Sequence, residues 1–366
     1  MIDETLQPIQ IKNWTQGFQT QLRTSTKRTL SRLKSIESNT ISHDPSSDLS
    51  TKFKTNQKTI KIPDRCIHSQ YASRKISFKQ KQATQTIFQQ PLCKAPLYMQ
   101  LIPFFKVSAQ SWAIFNGHTG EYITGYNQNK CRQIASITKI VTCIVSLRLA
   151  KELNLNIDRK RFFVPDQAQK ISGTSAGLLK GDSIFLRDLL YGLMLPSGND
   201  AAVTLSYNFQ LYSLENDHFL KEMNRFVQAL GLSNTQFSNV HGLCNENNFS
   251  TAYDVGKFTY ESLQNEQFQK IVRTQSYFCE TPNQLQNTSR ELYWENTNKL
   301  LQQGFKGVKT GITKEAGPSV VEYFQDSTNS YIIVLLNCSS SENRWTDALR
   351  LLQWIQKQDT LIKQFI

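Results

Sequence analysis

The sequence predicts an α/β protein: an antiparallel sheet built from N- and C-terminal strands, flanked by helices and interrupted by a mostly helical subdomain. Three observations carry this reading. Two strand-like runs open the apolar part of the chain, helical periodicity dominates residues 155–290, and strand-like runs return after residue 305 ahead of a final helix. Strands supplied from two distant stretches of sequence, with helices between, suit one antiparallel sheet.

The elements follow in order. Residues 111–115 and 121–126 alternate as strands around Asn116-Gly-His-Thr-Gly120, a Gly-containing hairpin loop. A helix over 136–153 carries Ile140, Val141, Ile144, Val145 and Leu147, too many apolar residues for one exposed face, so it is expected to be buried on most sides. Further helices are expected over 186–194, 200–208, 218–230 and 251–264, the last opened by a capping box of Thr251 and Asp254. Strands over 307–311, 319–324 and 331–337 precede a helix over 342–356, with Trp345, Ala348, Leu349, Leu352 and Ile355 at helical spacing.

Composition divides the 366 residues unevenly. Residues 1–95 hold 16 Lys and Arg against 6 Asp and Glu, whereas 96–366 hold 26 against 23, so most of the net charge of +13 belongs to the first quarter. That quarter is rich in Gln, Ser, Thr and Lys, with scattered apolar residues that cannot offset about 1–2 kcal/mol of ordering cost per residue. Residues 1–97 therefore read as a disordered basic tail, with a short helix within 15–35, and 98–366 as the folded domain. The basic runs are diluted by polar residues, so neither a nucleic-acid nor a membrane partner is expected. No run approaches about 18 consecutive apolar residues, which excludes a membrane-spanning helix. The opening Met1-Ile-Asp-Glu-Thr-Leu-Gln-Pro8 lacks a basic segment followed by an apolar one, leaving the cytoplasm as the default location. Seven cysteines, odd in number and without a C-x-x-C pair, read as small buried hydrophobes in a reducing compartment.

Three short motifs carry chemistry: Ser136-Ile-Thr-Lys139, Ser197-Gly-Asn199 and Lys309-Thr-Gly311. Singly they are weak, since Ser31-Arg-Leu-Lys34 repeats the first and Ser206-Tyr-Asn208, Ser327-Thr-Asn329 and Ser341-Glu-Asn343 repeat the second. Context separates them: Ser136 opens the predicted buried helix, Ser197 follows Pro196 between helices, and Lys309 lies on a strand. Residues three apart share a helix face, so Lys139 can bring its amine to the Ser136 hydroxyl. A serine hydroxyl needs a base to take its proton. Lysine serves if burial and a neighbouring cation, here Lys309, lower its pKa from about 10.4. At a helix start, the Ser136 N–H also stands where an oxyanion would form. His241, beside Gly242, reads as a structural hydrogen-bonding residue, and Asp200 and Asp254 as caps. No His, Cys or carboxylate cluster has metal-ligand spacing, so neither metal nor cofactor is expected.

With these motifs the chain resembles the serine D-alanyl-D-alanine carboxypeptidases, low-molecular-weight penicillin-binding enzymes that share their fold with serine β-lactamases. Further phrases strengthen the likeness: Asp188-Leu-Leu-Tyr-Gly-Leu-Met-Leu-Pro-Ser-Gly-Asn-Asp-Ala-Ala202, His241-Gly-Leu243, Ser250-Thr-Ala-Tyr-Asp254, Asn296-Thr-Asn-Lys-Leu-Leu301, and Gly307-Val-Lys-Thr-Gly311 with Ala316-Gly317. The resemblance spans about residues 105–355. It implies that Ser136 is acylated, that Lys139 activates it, and that Ser197 passes a proton to the leaving amine. Asn199 would hold Lys139 and the substrate amide. Lys309, still charged, and Thr310 would bind the substrate carboxylate. Ile312 would supply a second oxyanion N–H, and Gly311 would leave room along the strand edge for an added peptide strand. The implied ligands are peptides ending in a D-amino acid, with β-lactams as inhibitors and a monomer as the acting species.

Departures limit the likeness. Members commonly carry a leader, a second β-rich domain and a C-terminal anchor, and none is expected here, because the sequence ends about ten residues past the predicted last helix. Pro318-Ser-Val-Val-Glu-Tyr-Phe replaces an expected small-residue strand, read as an edge lining the acyl pocket. No glutamate suited to activating deacylating water is evident, so slow deacylation is expected. A β-lactamase or esterase on the same scaffold, and a non-catalytic binding protein that retained the fold, are the alternatives.

Overall fold

The computed structural model describes residues 102–365. The expected tail over 1–97, its short helix, Cys66 and Cys93 lie outside the described residues. Five strands form one antiparallel sheet in the order β2-β1-β9-β8-β7. They are β1 (Ser111–Asn116), β2 (Tyr122–Tyr126), β7 (Phe305–Gly311), β8 (Ser319–Gln325) and β9 (Ser330–Leu336). The β1–β9 ladder, from Ser111 opposite Leu336 to Asn116 opposite Tyr331, joins the two distant stretches of sequence.

Strict alternation sends side chains to two cores. Trp112 and Ile114 of β1 and Tyr331, Ile333 and Leu335 of β9 meet Trp345, Ala348, Leu351, Leu352 and Ile355 of the terminal helix. Ala113, Phe115, Ile332, Val334 and Leu336 face the other way, into the main core. Covered on both faces, β9 is buried along its whole length, which explains its unbroken apolar run. The terminal helix, α8 (Asn343–Phe365), runs past the expected end at residue 356. β8 is interior rather than an edge, lying between β9 and β7 and buried from Ser319 to Tyr323. Its bulky residues fill the sheet, so the expectation that this strand lines an acyl pocket as an edge does not hold.

The helix α1 (Lys139–Glu152) runs through the centre of the molecule, and of its 14 residues only Arg148, Lys151 and Glu152 escape burial. At about 1.5–3 kcal/mol per buried Ile, Val or Leu, this helix is fixed by packing on all sides. The insertion packed on it contains α2 (Asp166–Lys170), α3 (Leu186–Met194), α4 (Asn199–Gln210), α5 (His218–Ala229), α6 (Ala252–Leu263) and α7 (Glu266–Val272). Thr251 caps α6 as expected, its hydroxyl accepting from the Asp254 N–H at 3.0 Å. Two antiparallel strand pairs accompany these helices. These are β3 (Arg161–Phe163) with β4 (Ser183–Phe185), and β5 (Ser276–Asn283) with β6 (Thr288–Glu295). The first pair is too short to show a period. The second is amphipathic: Cys279, Thr281, Leu292 and Trp294 point inward and are separated by exposed polar residues. Trp294 packs over Gly192, its indole N–H donating to the Ala176 carbonyl at 2.8 Å, and Tyr277 stacks on Tyr191 at 3.8 Å.

The cysteines divide. Cys143, Cys279 and Cys338 are buried, and burial pushes the Cys279 and Cys338 thiols up to about 12. Cys131 and Cys244 are exposed, contrary to the reading of all as buried hydrophobes. Among the described residues, no helix is long and apolar enough to cross a membrane.

Candidate active site

The reactive turn is built by close packing from three elements. Ser136 sits in a 3-10 turn, Ala135–Thr138, and not in the first turn of α1, which begins at Lys139. The tighter turn follows from the neighbours that press on it. A Cβ on Gly242 would stand 1.9 Å from the Ala135 carbonyl oxygen, and one on Gly311 would stand 3.2 Å from the Ser136 nitrogen. Gly311 thus admits the nucleophile-bearing backbone to the strand end, a different service from the room for substrate that was expected. Ala135 is held at φ 47°, a left-handed conformation that non-glycine residues adopt only under constraint. Buried Ile134 and Ile137 flank Ser136 and tie the turn to the core.

Lys139 is fully buried beneath this turn. Its Nζ lies 2.9 Å from Ser136 Oγ, 2.7 Å from Asn199 Oδ1 and 2.6 Å from the His241 carbonyl oxygen. Burial, then the charge of Lys309, holds its pKa well below the ordinary lysine range, against a smaller opposing pull from Asp200. A neutral amine has two N–H groups and one lone pair. Two of its neighbours are carbonyl oxygens that can only accept, so they take the two N–H groups. The lone pair is left facing the one neighbour that can donate, the Ser136 hydroxyl. Sequence reading missed the His241 contribution because it comes from a backbone carbonyl. The His241 ring is a local partner, accepting from the Leu243 N–H at 3.1 Å, and burial beside Lys139 lowers it to about 4, so it is neutral.

The facing wall comes from the loop before α4. Ser197 is 4% exposed, sits at φ 65°, and its Oγ has no hydrogen-bond partner among the described residues. A buried hydroxyl in that state costs about 1–3 kcal/mol. The loop is held from outside: Thr174 donates to the Ser197 carbonyl at 2.6 Å, and the Asp200 carboxylate accepts from Ser175 Oγ and the Ala176 and Leu178 N–H groups. Asp200 therefore pins residues 175–178 to the Ser197 loop, more than the local cap expected of it. Asn199 donates from Nδ2 to the Ser172 carbonyl at 2.7 Å while its oxygen holds Lys139.

The third wall is the end of edge strand β7. Lys309 is 1% exposed, and its Nζ donates to the Thr310 carbonyl at 3.2 Å. Burial, then the positive Arg344, brings its pKa down to about 7, so the free chain does not keep Lys309 permanently charged as expected. Thr310 shares its hydroxyl with Thr297 at 2.8 Å, a partner the sequence did not single out. Ile312 follows Gly311 with its side chain exposed. All eight residues expected at the site, Ser136, Lys139, Ser197, Asn199, Lys309, Thr310, Gly311 and Ile312, lie on these three walls. Among the described residues, no group of three or more His, Cys, Asp or Glu side chains could hold a metal.

A serine against a buried lysine whose pKa is lowered, at the end of a five-stranded sheet and under a helical layer, fits the class of serine hydrolases. Comparison with known proteins agrees. Residues 98–340 match the family model of the D-alanyl-D-alanine carboxypeptidases, peptidase family S11, and the chain belongs to this family. It is 31% identical over 256 residues to a D-alanyl-D-alanine carboxypeptidase of Streptomyces sp. K15, covering 68% of this chain and 87% of that one. It is 28% identical over 252 residues to carboxypeptidase DacF of Bacillus subtilis, where the match covers 68% of this chain but only 62% of the relative. The crystal structure of the Streptomyces K15 DD-transpeptidase superposes with a TM-score of 0.64 at 30% identity, over 69% of this chain and 98% of that one. The DD-peptidase fold, with its sheet and helical layer, is therefore the fold of this chain.

Proposed function

We propose that this protein removes the C-terminal D-alanine from peptides through an acyl-enzyme on Ser136. The observation that carries the reading is the buried Lys139 amine, its pKa lowered by burial, held by two carbonyl oxygens and 2.9 Å from the Ser136 hydroxyl oxygen. Oγ attacks the carbonyl carbon of the scissile amide as its proton passes to Lys139 Nζ. The oxyanion forms between the backbone N–H groups of Ser136 and Ile312. As the C–N bond breaks, the proton returns through Ser197 to the leaving amine, which supplies the partner that the Ser197 hydroxyl lacks. Water then attacks the ester, returning Ser136 Oγ–H and releasing the shortened peptide. The leaving residue keeps its free carboxylate against Lys309 and Thr310, and that negative charge favours the protonated lysine.

A β-lactam places an amide carbonyl and a carboxylate in the same relation, so penicillin is expected to acylate Ser136 and persist there. A fluorescent penicillin should label the purified chain, and Ser136→Ala should abolish labelling. Labelling that survives the substitution would defeat the reading, as would rapid multiple turnover of a chromogenic cephalosporin, which favours a β-lactamase.

A further inference from the structure

The hydroxyl that β7 offers to the cleft has a companion from another part of the chain. Thr297, exposed where the chain leaves β6, brings its Oγ1 to 2.8 Å from that of Thr310, which is only 6% exposed. Thr297 is fixed from both sides. Its N–H donates to the Leu195 carbonyl at 3.2 Å, two residues before Ser197. The next residue, Asn298, is buried, donating from Nδ2 to Glu322 Oε2 at 2.9 Å and accepting from the Leu300 N–H at 2.9 Å. Glu322 is itself fully buried on β8, beside β7. Asn296 adds bonds to the Val272 and Thr274 carbonyls. The run from Asn296 to Asn298 thus bridges the Ser197 loop and β7 and delivers one hydroxyl to Thr310.

Two hydroxyls in contact have two hydrogens, and one is used between them. A carboxylate only accepts. If Thr310 is to donate to it, the hydrogen shared within the pair must come from Thr297. A donor aimed at Thr310 Oγ1 also removes the rotational freedom of that hydroxyl and polarises it. We propose that Thr297 is a positioning residue for the substrate's C-terminal carboxylate, its Oγ1–H donating to Thr310 Oγ1 and so turning the Thr310 O–H into the cleft. The inference rests on the carboxypeptidase reading, and it makes Thr297 a determinant of preference for peptides with a free C-terminus.

The test uses the full chain as wild type, Thr297→Val and Thr297→Ser, with two probes. Benzylpenicillin carries the carboxylate. Phenylboronic acid adds to the serine oxygen without one. Thr297→Val should slow acylation by benzylpenicillin roughly 5- to 10-fold, the worth of one hydrogen bond, and leave the boronic-acid inhibition constant unchanged. Thr297→Ser should restore the penicillin rate to within about twofold of wild type, because it keeps the donor. Wild-type acylation in Thr297→Val overturns the inference. Equal losses with both probes also overturn it, since they mark a general structural role. A wild-type chain that penicillin does not label at Ser136 instead overturns the carboxypeptidase reading, and the inference with it.

Discussion

The two lysines of the cleft are equally buried and differently provided for. Lys139 has three oxygen neighbours within 2.9 Å, whereas Lys309 has a single carbonyl at 3.2 Å. None of these oxygens is a carboxylate, so among the described residues neither lysine has a counter-ion in contact, and burial lowers both. The difference lies in what completes each group. The neighbours of Lys139 satisfy a neutral amine and leave its lone pair on Ser136. Lys309, with Arg344 as its main charged influence, lacks an anion among the described residues, and the proposed substrate carries one. The turn side of the cleft is finished before substrate arrives, and the strand side is finished by it.

The hardest blow to the finished side is Lys139→Ala. It removes the base while Ser136, Asn199 and the His241 carbonyl remain, and should lower the penicillin acylation rate by ~10³-fold or more, within the range for a positioned general base. Stopped-flow or gel-based labelling would measure it, and a loss under about tenfold would mean that another group takes the Ser136 proton.

Ser197→Ala next tests the facing wall, which also holds a group without a partner among the described residues. The alanine removes a buried hydroxyl without a partner, so the folded chain should keep its stability or gain on the order of 1 kcal/mol. Acylation should still fall by ~10²-fold if Ser197 passes the proton. A melting curve and a labelling rate on the same sample give both numbers. A substantial drop in melting temperature would show that Ser197 holds the loop together, contrary to its open hydroxyl.

How much of this was legible in the sequence depends on where each signal lives. β9 announced itself by five apolar residues in a row, and α1 by apolar residues on every side, because burial on all faces leaves a composition that needs no partner to be recognised. β5 and β6 did not, since they bury one face each and expose Phe278, Glu280, Glu291, Tyr293 and Glu295 on the other, with Pro282 inside β5 and the polar Thr281 and Asn283 on the buried face. Their hairpin depends on the Tyr191–Tyr277 stack and on the Trp294 contact over Gly192, which no local pattern encodes. At the site, the short motifs and the N–H groups within or beside them were readable, and backbone features outside them were not. The His241 carbonyl and the left-handed Ala135 belong to the second kind. Thr297 and Glu322 had side chains in view, but only the register of β7 with β8 and the exit of β6 make them neighbours of Thr310 and Asn298.

The smallest effect distinguishes the two lysines by pH. In the free chain Lys309 sits near about 7, below its ordinary 10.5, so kcat/KM for a carboxylate-bearing peptide should fall as pH rises above 7. In the bound state the substrate carboxylate favours the charged lysine, so the corresponding limb in kcat should lie at higher pH. Stability should move the other way. Below about 7 the lysine is charged both folded and unfolded, and its burial cost is fully present; between 7 and 10.5 only the unfolded chain holds the proton, so stability rises with pH. The rise is about 1.4 kcal/mol per pH unit from this one group, and the difference between wild type and Lys309→Met isolates it. Lys309→Arg keeps its charge throughout and should flatten the kcat/KM limb. A limb that persists in the arginine variant would assign the titration to Lys139, whose proton would then be needed, and the two lysines would no longer divide the work as their neighbours indicate.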